Sequence, residues 1–280
     1  MKGGAQPHIP IDRFEVYANG LDHPECVAFD RAGELWAGGE AGQVYRIDRD
    51  RQVHTVATLG GFTGGIAFSP SDELIVCNPR LGLARVDRSG SSEVFADQAG
   101  DHKLFCPNFP VFDARGNLYV SDSGKWLAEN GCLCRFTPDG TGRVIFGPMG
   151  YANGLALSLD ERFLFMVESN TNSVLRLELG RDGNVIRHET YATDCGWTPD
   201  GVALDTEGNL YVSAYASDDI YKVTPDRVRT LFAFDSRAIL LSRPTNMAFD
   251  GNWMYVANLG RTTVSRVKLD VTGQQLVNRR

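Results

Sequence analysis

The chain is predicted to be all-β: a six-bladed β-propeller of four-stranded antiparallel blades, with the N-terminal strand completing the last blade. Three observations predict it. One strand–turn–strand phrase recurs six times, the copies follow a near-constant period, and no useful length of chain shows the apolar periodicity of a helix. The clearest copy is TPDGVALDTEGNLYVSAY at 198–215. There Val202, Ala203 and Leu204 form one apolar run, the stretch 205–209 supplies turn chemistry, and Leu210, Tyr211 and Val212 form a second run.

Taken in order, the copies are PECVAFDRAGELWAGG, GGIAFSPSDELIVCN, NFPVFDARGNLYVSDS, NGLALSLDERFLFMVES, the 198–215 copy and TNMAFDGNWMYVAN. Aligned on the large apolar residue closing the first run (Phe29, Phe68, Phe112, Leu157, Leu204 and Phe249), they are 39, 44, 45, 47 and 45 residues apart. That period suits blades of four strands. The units start near 24, 64, 108, 153, 200 and 245, and together they read as a single domain over 1–280. A third strand is expected at 43–48, 83–87, 132–137, 173–179, 219–223 and 263–269, and a fourth at 54–59, 93–96, 143–146, 188–192 and 228–232. The sixth unit has no fourth strand of its own, since only VTGQQLVNRR follows. The FEVYA segment at 14–18 resembles HETYA at 188–192, which supplies the missing strand and closes the ring.

Composition narrows the function classes. Hydrophobic residues at 42% and charged residues at 22% describe an ordinary globular chain, and 30 glycines among 280 residues suit many tight turns. A formal charge of −7, with no basic run longer than the Arg279/Arg280 pair, argues against nucleic acid as a partner. The opening MKGGAQPHIPIDRF lacks the apolar core of a signal peptide, and no window suits a bilayer span, so no membrane partner and a cytoplasmic location are expected. A small-molecule substrate and a monomer or simple homo-oligomer complete the expectation. The six cysteines read mostly as small buried hydrophobes. Cys132 and Cys134 share one strand face, too few donors for a metal without distant help.

Topology assigns the faces. The first strand of each blade lines the channel, so the loop leading into it and the loop joining the second and third strands share one mouth. The two longest departures from the repeat, 96–107 and 123–131, both fall on that mouth and in the third unit. Long insertions are cheap in entropy and often functional, so a lid or substrate wall is expected there.

Four residues before each aligned apolar residue stand Glu25, Gly64, Asn108, Asn153, Asp200 and Thr245. At similar height around a ring these side chains converge near the axis. Four are oxygen donors. Two carboxylates and two amides, without histidine or cysteine, favour one Ca2+, with Mg2+, Mn2+ and Zn2+ as alternatives. Turn preference explains Gly64 and any one Asn or Asp equally well, but not Glu25.

HPE at 23–25, NGLALS at 153–158 and PDGVALDTEGNLYV at 199–212 resemble the gluconolactonase/regucalcin-like, or senescence marker protein, family over nearly the whole chain. The resemblance implies a six-bladed propeller with one divalent metal in its channel, many members hydrolysing lactones. It implies Glu25, Asn153 and Asp200 as metal ligands, Asn108 as a further ligand or substrate contact, and Asp200 as general base. The family's lactonases often carry Arg-x-Asn-Asp in the third blade; here Cys106 and Phe109 flank Asn108 in place of the charged residues. A less polar or aromatic substrate is therefore expected, met by Phe105, Phe109 and Trp126, with His102 or Lys103 reaching a carboxylate and Glu168 and Tyr215 on the mouth wall. The leading expectation is a metal-dependent lactone or small-ester hydrolase. The alternatives are a non-catalytic, metal-stabilised propeller that binds a partner or ligand, and a different metal-assisted reaction in the same site.

Overall fold

The computed structural model describes residues 7–280; residues 1–6, the start of the stretch that lacks a signal-peptide core, lie outside the described residues. Six four-stranded antiparallel sheets form a ring. From the channel outward, the first blade is Val27–Phe29, Leu35–Gly38, Gln43–Ile47 and Val53–Thr58, and the second is Ile66–Phe68, Leu74–Asn78, Gly82–Val86 and Ser92–Ala96. The third is Pro107–Phe112, Leu118–Asp122, Gly131–Phe136 and Gly142–Met149. The fourth is Ala152–Leu157, Phe163–Glu168, Ser173–Leu179 and Val185–Thr193, and the fifth is Pro199–Leu204, Leu210–Ala214, Asp219–Val223 and Arg229–Phe234. The sixth is Pro244–Asp250, Trp253–Asn258 and Thr263–Lys268, completed by the N-terminal strand Glu15–Asn19. That strand runs antiparallel to Thr263–Lys268, with Glu15 opposite Arg266 and Asn19 opposite Thr263. No helix among the described residues is long and apolar enough to cross a membrane.

Burial follows from stacking blade on blade. Second strands such as Leu74–Asn78 and Leu210–Ala214 are buried at every position, because both faces of the sheet meet a neighbouring blade. They read as continuous apolar runs for that reason. The core lies between blades: Trp36 and Val44 of the first pack with Ile66, Phe68 and Val76 of the second. The seam is filled in the same way, Val27, Phe29 and Tyr45 meeting Ala248, Tyr255 and Val264.

The aspartate that recurs after the first apolar run in four blades, at Asp30, Asp113, Asp205 and Asp250, has a structural cause in the fifth. Buried Asp205 accepts hydrogen bonds from the Glu207 and Asn209 backbones (both 2.9 Å), from Asn209 Nδ2 (2.8 Å) and from the Tyr211 hydroxyl (3.1 Å). It orders the turn and ties it to the second strand. Asp205→Ala leaves buried donors unmet and is expected to cost about 2–3 kcal/mol, read as a lower urea midpoint with unchanged slope. A midpoint equal to wild type would show that water replaces the carboxylate without loss.

The segment after the sixth blade crosses the face opposite the mouth. Gly273 forms a bridge with Asp205, Gln274 Nε2 donates to the Leu157 carbonyl (2.8 Å), and Asn278 Nδ2 donates to the Phe29 carbonyl (3.0 Å). Gln274, Leu276, Val277 and Arg280 floor an apolar cavity whose walls come from the first strands of all six blades. The 96–107 insertion is not a plain loop: Gln98–Ala99 pairs with His102–Lys103 in a small hairpin. Its polar residues give no strand signal in sequence.

Candidate functional site

The channel positions are aimed by backbone irregularity. In four blades the residue two places earlier is left-handed: His23 (φ 44°), Tyr151 (φ 59°), Thr198 (φ 56°) and Arg243 (φ 46°) precede Glu25, Asn153, Asp200 and Thr245. The strand ladder then skips between Pro107 and Phe109, Ala152 and Leu155, Pro199 and Val202, and Pro244 and Met247. Asn108, Asn153, Asp200 and Thr245 sit in these bulges, outside the ladder, where a bulge redirects the side chain.

A belt of bonds between blades fixes their height. Gly65 N donates to the Asn108 carbonyl (2.6 Å), Ser123 Oγ to that of Ala152 (2.7 Å) and Ser169 Oγ to that of Pro199 (2.7 Å). Ser213 Oγ donates to the Thr245 carbonyl, and Thr245 Oγ1 and Asn246 Nδ2 donate to the Glu25 carbonyl at 2.6 and 3.1 Å. Thr63 N, donating to the Gly39 carbonyl at 3.2 Å, links the first blade to the second. Thr245 is thus a strut between blades, its hydroxyl already used. Gly64 is glycine for want of room, since a Cβ there would lie 3.0 Å from the Asn108 carbonyl oxygen.

The other four positions share one property. Glu25 Oε2, Asn108 Oδ1, Asn153 Oδ1 and Asp200 Oδ1 are buried and have no hydrogen-bond partner. Asn153 shows how an oxygen is kept free: its Nδ2 donates to Ser169 Oγ at 3.1 Å, so the amide is held by its nitrogen end. Burial pushes the Asp200 carboxyl up to about 7, against an opposing pull from the Asn153 amide. Burial and then the nearby Asp200 charge push Glu25 well above the usual carboxylate range. Two buried carboxylates that repel, beside two free amide oxygens, are costly alone and fit a hard divalent cation among them.

The residues expected on the mouth wall are spread differently. Trp126 is half-exposed and its ring stands edge-on to Tyr151, centroids 4.9 Å apart. Phe105 is likewise half-exposed, with Lys125 Nζ 5.8 Å from its ring centre. Phe109 lies lower, lining the apolar cavity. Glu168 braces the loop before the fourth blade, accepting from Gly150 N (2.7 Å) and the Thr171 hydroxyl (2.8 Å). Tyr215 accepts from Arg243 Nη1 at 3.0 Å. His102 Nε2 is 2.9 Å from Asp122 Oδ2, and Lys103 pairs with Asp97.

Two residues are missed by sequence reasoning. Tyr151 has its hydroxyl pushed up by burial and then by Cys106, Asp200 and Glu25, so it lies within electrostatic reach of the two channel carboxyls. Its only signal is position, two before Asn153. Trp197, exposed and two before Pro199, adds a second indole to the loops on this mouth.

Comparison with known proteins agrees with this architecture. The profile of the SMP-30/Gluconolactonase/LRE-like region matches residues 23–260. Lactonase drp35 of Staphylococcus aureus (strain MRSA252) is 33% identical over 227 residues, which is 75% of this chain and 67% of that protein. The gluconolactonase structure from Xanthomonas campestris superposes with a TM-score of 0.80 at 19% identity, covering 91% of this chain and 89% of that one. The calcium-binding protein regucalcin from Agrobacterium tumefaciens gives 0.77 at 18% identity, covering 98% and 99%. At such identities the two structures speak for the fold alone. With more than half its length matched, this chain belongs to the SMP-30/gluconolactonase/LRE-like family.

Proposed function

We propose that the protein is a divalent-cation-dependent lactone hydrolase whose cation is held by Glu25, Asn108, Asn153 and Asp200. The observation that carries this reading is the set of four buried side-chain oxygens without partners. The lactonase relative supports the reaction class. An all-oxygen donor set with two carboxylates favours Ca2+ over softer ions.

When bound, the cation supplies Lewis-acid polarisation of the ester carbonyl and offsets the burial that raises Asp200. The rest falls to the chain's own groups. The Asp200 carboxylate takes a proton from the attacking water as the new carbon–oxygen bond forms. It returns that proton to the leaving alkoxide when the ring ester bond breaks, giving a hydroxy acid. Asn108 and Asn153 would each offer a buried, unpartnered amide oxygen, and the belt between blades holds their backbones in place. Preorganisation of this kind lets electrostatic stabilisation act without reorganisation cost.

The substrate class follows from what lines the mouth. Cys106 and Phe109 bring no charge beside Asn108, and Phe105, Trp126 and Trp197 offer half-exposed to exposed aromatic faces. Aryl or alkyl lactones therefore suit this site better than sugar acid lactones. A hydrolysis screen over sugar, aliphatic and aryl lactones with Ca2+, Mg2+, Mn2+ and Zn2+ is expected to give the highest kcat/KM on the less polar rings with Ca2+. Absence of turnover on every lactone with every ion would overturn the reading.

A further inference from the structure

Cys132 and Cys134 face the same way on Gly131–Phe136, and the distant help that a metal would need is at hand. His102, carried back by the hairpin in the 96–107 insertion, brings Nε2 to 3.5 Å from Cys132 Sγ. The two sulfurs are 3.7 Å apart, and all three donor atoms lie within 4.8 Å of one another. These separations have a meaning. With metal–sulfur and metal–nitrogen bonds of about 2.3 and 2.0–2.1 Å, a tetrahedral zinc site has edges of roughly 3.8 Å between sulfurs and roughly 3.5 Å between sulfur and nitrogen. We propose that His102, Cys132 and Cys134 form a second metal site, selective for Zn2+ or a similarly soft divalent ion and separate from the oxygen site in the channel.

The surroundings suit the assignment. Asp122 stands directly opposite Cys132 in the strand ladder and its Oδ2 is 2.9 Å from His102 Nε2, so a carboxylate stands beside the histidine, and a solvent molecule would complete the coordination of three protein donors. Coordination through Nε2 requires the proton to sit on Nδ1, which ends the His102–Asp122 hydrogen bond. Asp122 stays satisfied, because Phe105 N and Cys106 N donate to it at 2.8 and 2.7 Å. The sulfurs are buried while the His102 side chain keeps 32% of its surface exposed, which leaves a way in from the solvent side. Binding exchanges two thiol protons for the ion: both sulfurs become thiolates and their charges balance Zn2+. Affinity consequently falls as pH falls. Nitrogen and sulfur donors also separate this site from the channel by ion preference. The structural consequence is local. A filled site clips the insertion, with Phe105 and Cys106, onto the third blade.

Reduced, metal-stripped protein titrated with Co2+ in excess Ca2+ tests the assignment. The expected result is a thiolate-to-cobalt charge-transfer band that saturates near one equivalent, disappears on adding Zn2+, and persists in Asn153→Ala. Cys132→Ser and His102→Ala should each weaken binding by about 100-fold or more. No thiolate band in the reduced wild type would overturn the proposal, as would a band unaltered in both variants. The wild-type titration decides by itself where a variant does not fold.

Discussion

Asp200→Ala is expected to lower kcat/KM for lactone hydrolysis by about 10²–10⁴-fold, the contribution of a positioned general base, and to weaken Ca2+ binding as well. The two losses are separable. Asp200→Asn keeps an oxygen at the same point and removes the basicity, so it should retain measurable Ca2+ affinity while losing turnover. Initial rates at saturating Ca2+, set beside calorimetric titration of the ion, give both quantities. A fully active Asp200→Asn would assign the proton transfer elsewhere, with the neighbouring Glu25 carboxyl the first group to test. A fully active Asp200→Ala would remove the channel oxygens from the reaction altogether.

The second large effect is a pH dependence of stability that reverses with the ion. Folding raises Asp200 from 3.8 to about 7 and raises Glu25 in the same direction, burial being the first cause of both. A carboxyl whose pKa rises on folding contributes stability that is fully present below its unfolded value and lost as pH climbs through the folded one. At 1.36 kcal/mol per pKa unit, the Asp200 rise alone corresponds to roughly 4 kcal/mol. Carboxyls held low, such as Asp160 by the Ser158 hydroxyl and Asp87 by that of Ser89, have finished titrating by pH 5. Histidines also ionise between pH 5 and 8, so the share of the channel pair is read as the difference between wild type and Asp200→Asn across that interval. In chelator, the urea midpoint should fall across that interval; with excess Ca2+ the fall should flatten, because the ion binds the ionised pair. A wild-type midpoint that falls no more steeply than that of Asp200→Asn from pH 5 to 8 in chelator would contradict the burial of two repelling acids.

Much of the fold is legible because a propeller writes itself into sequence as a period. The six aligned apolar residues locate the blades, and FEVYA at 14–18 identifies the closing strand, observed at Glu15–Asn19. Outer strands are read short, Arg143–Phe146 against an observed Gly142–Met149, because their exposed residues carry little apolar pattern and bulges shift the register. In the site, alignment brings Glu25, Asn108, Asn153 and Asp200 to one level. It does not show that each keeps a buried oxygen free, which depends on where Ser169, Thr245 and the backbone spend their hydrogen bonds. His102 meeting Cys132 is equally hidden. The two are 30 residues apart, and only the folding of the insertion into a hairpin joins them.

The segment that floors the channel decides how molecules travel. With Gln274, Leu276, Val277 and Arg280 across the far end and apolar walls above them, the channel is a dead-end street, not a thoroughfare. On the proposed reaction, a neutral lactone and the charged hydroxy acid made from it would use the same doorway, past the same aromatic rings. The charge created by opening the ring is then what separates arrival from departure: the apolar threshold that admits the substrate holds the anion poorly, and a chain carrying a net −7 repels it outward.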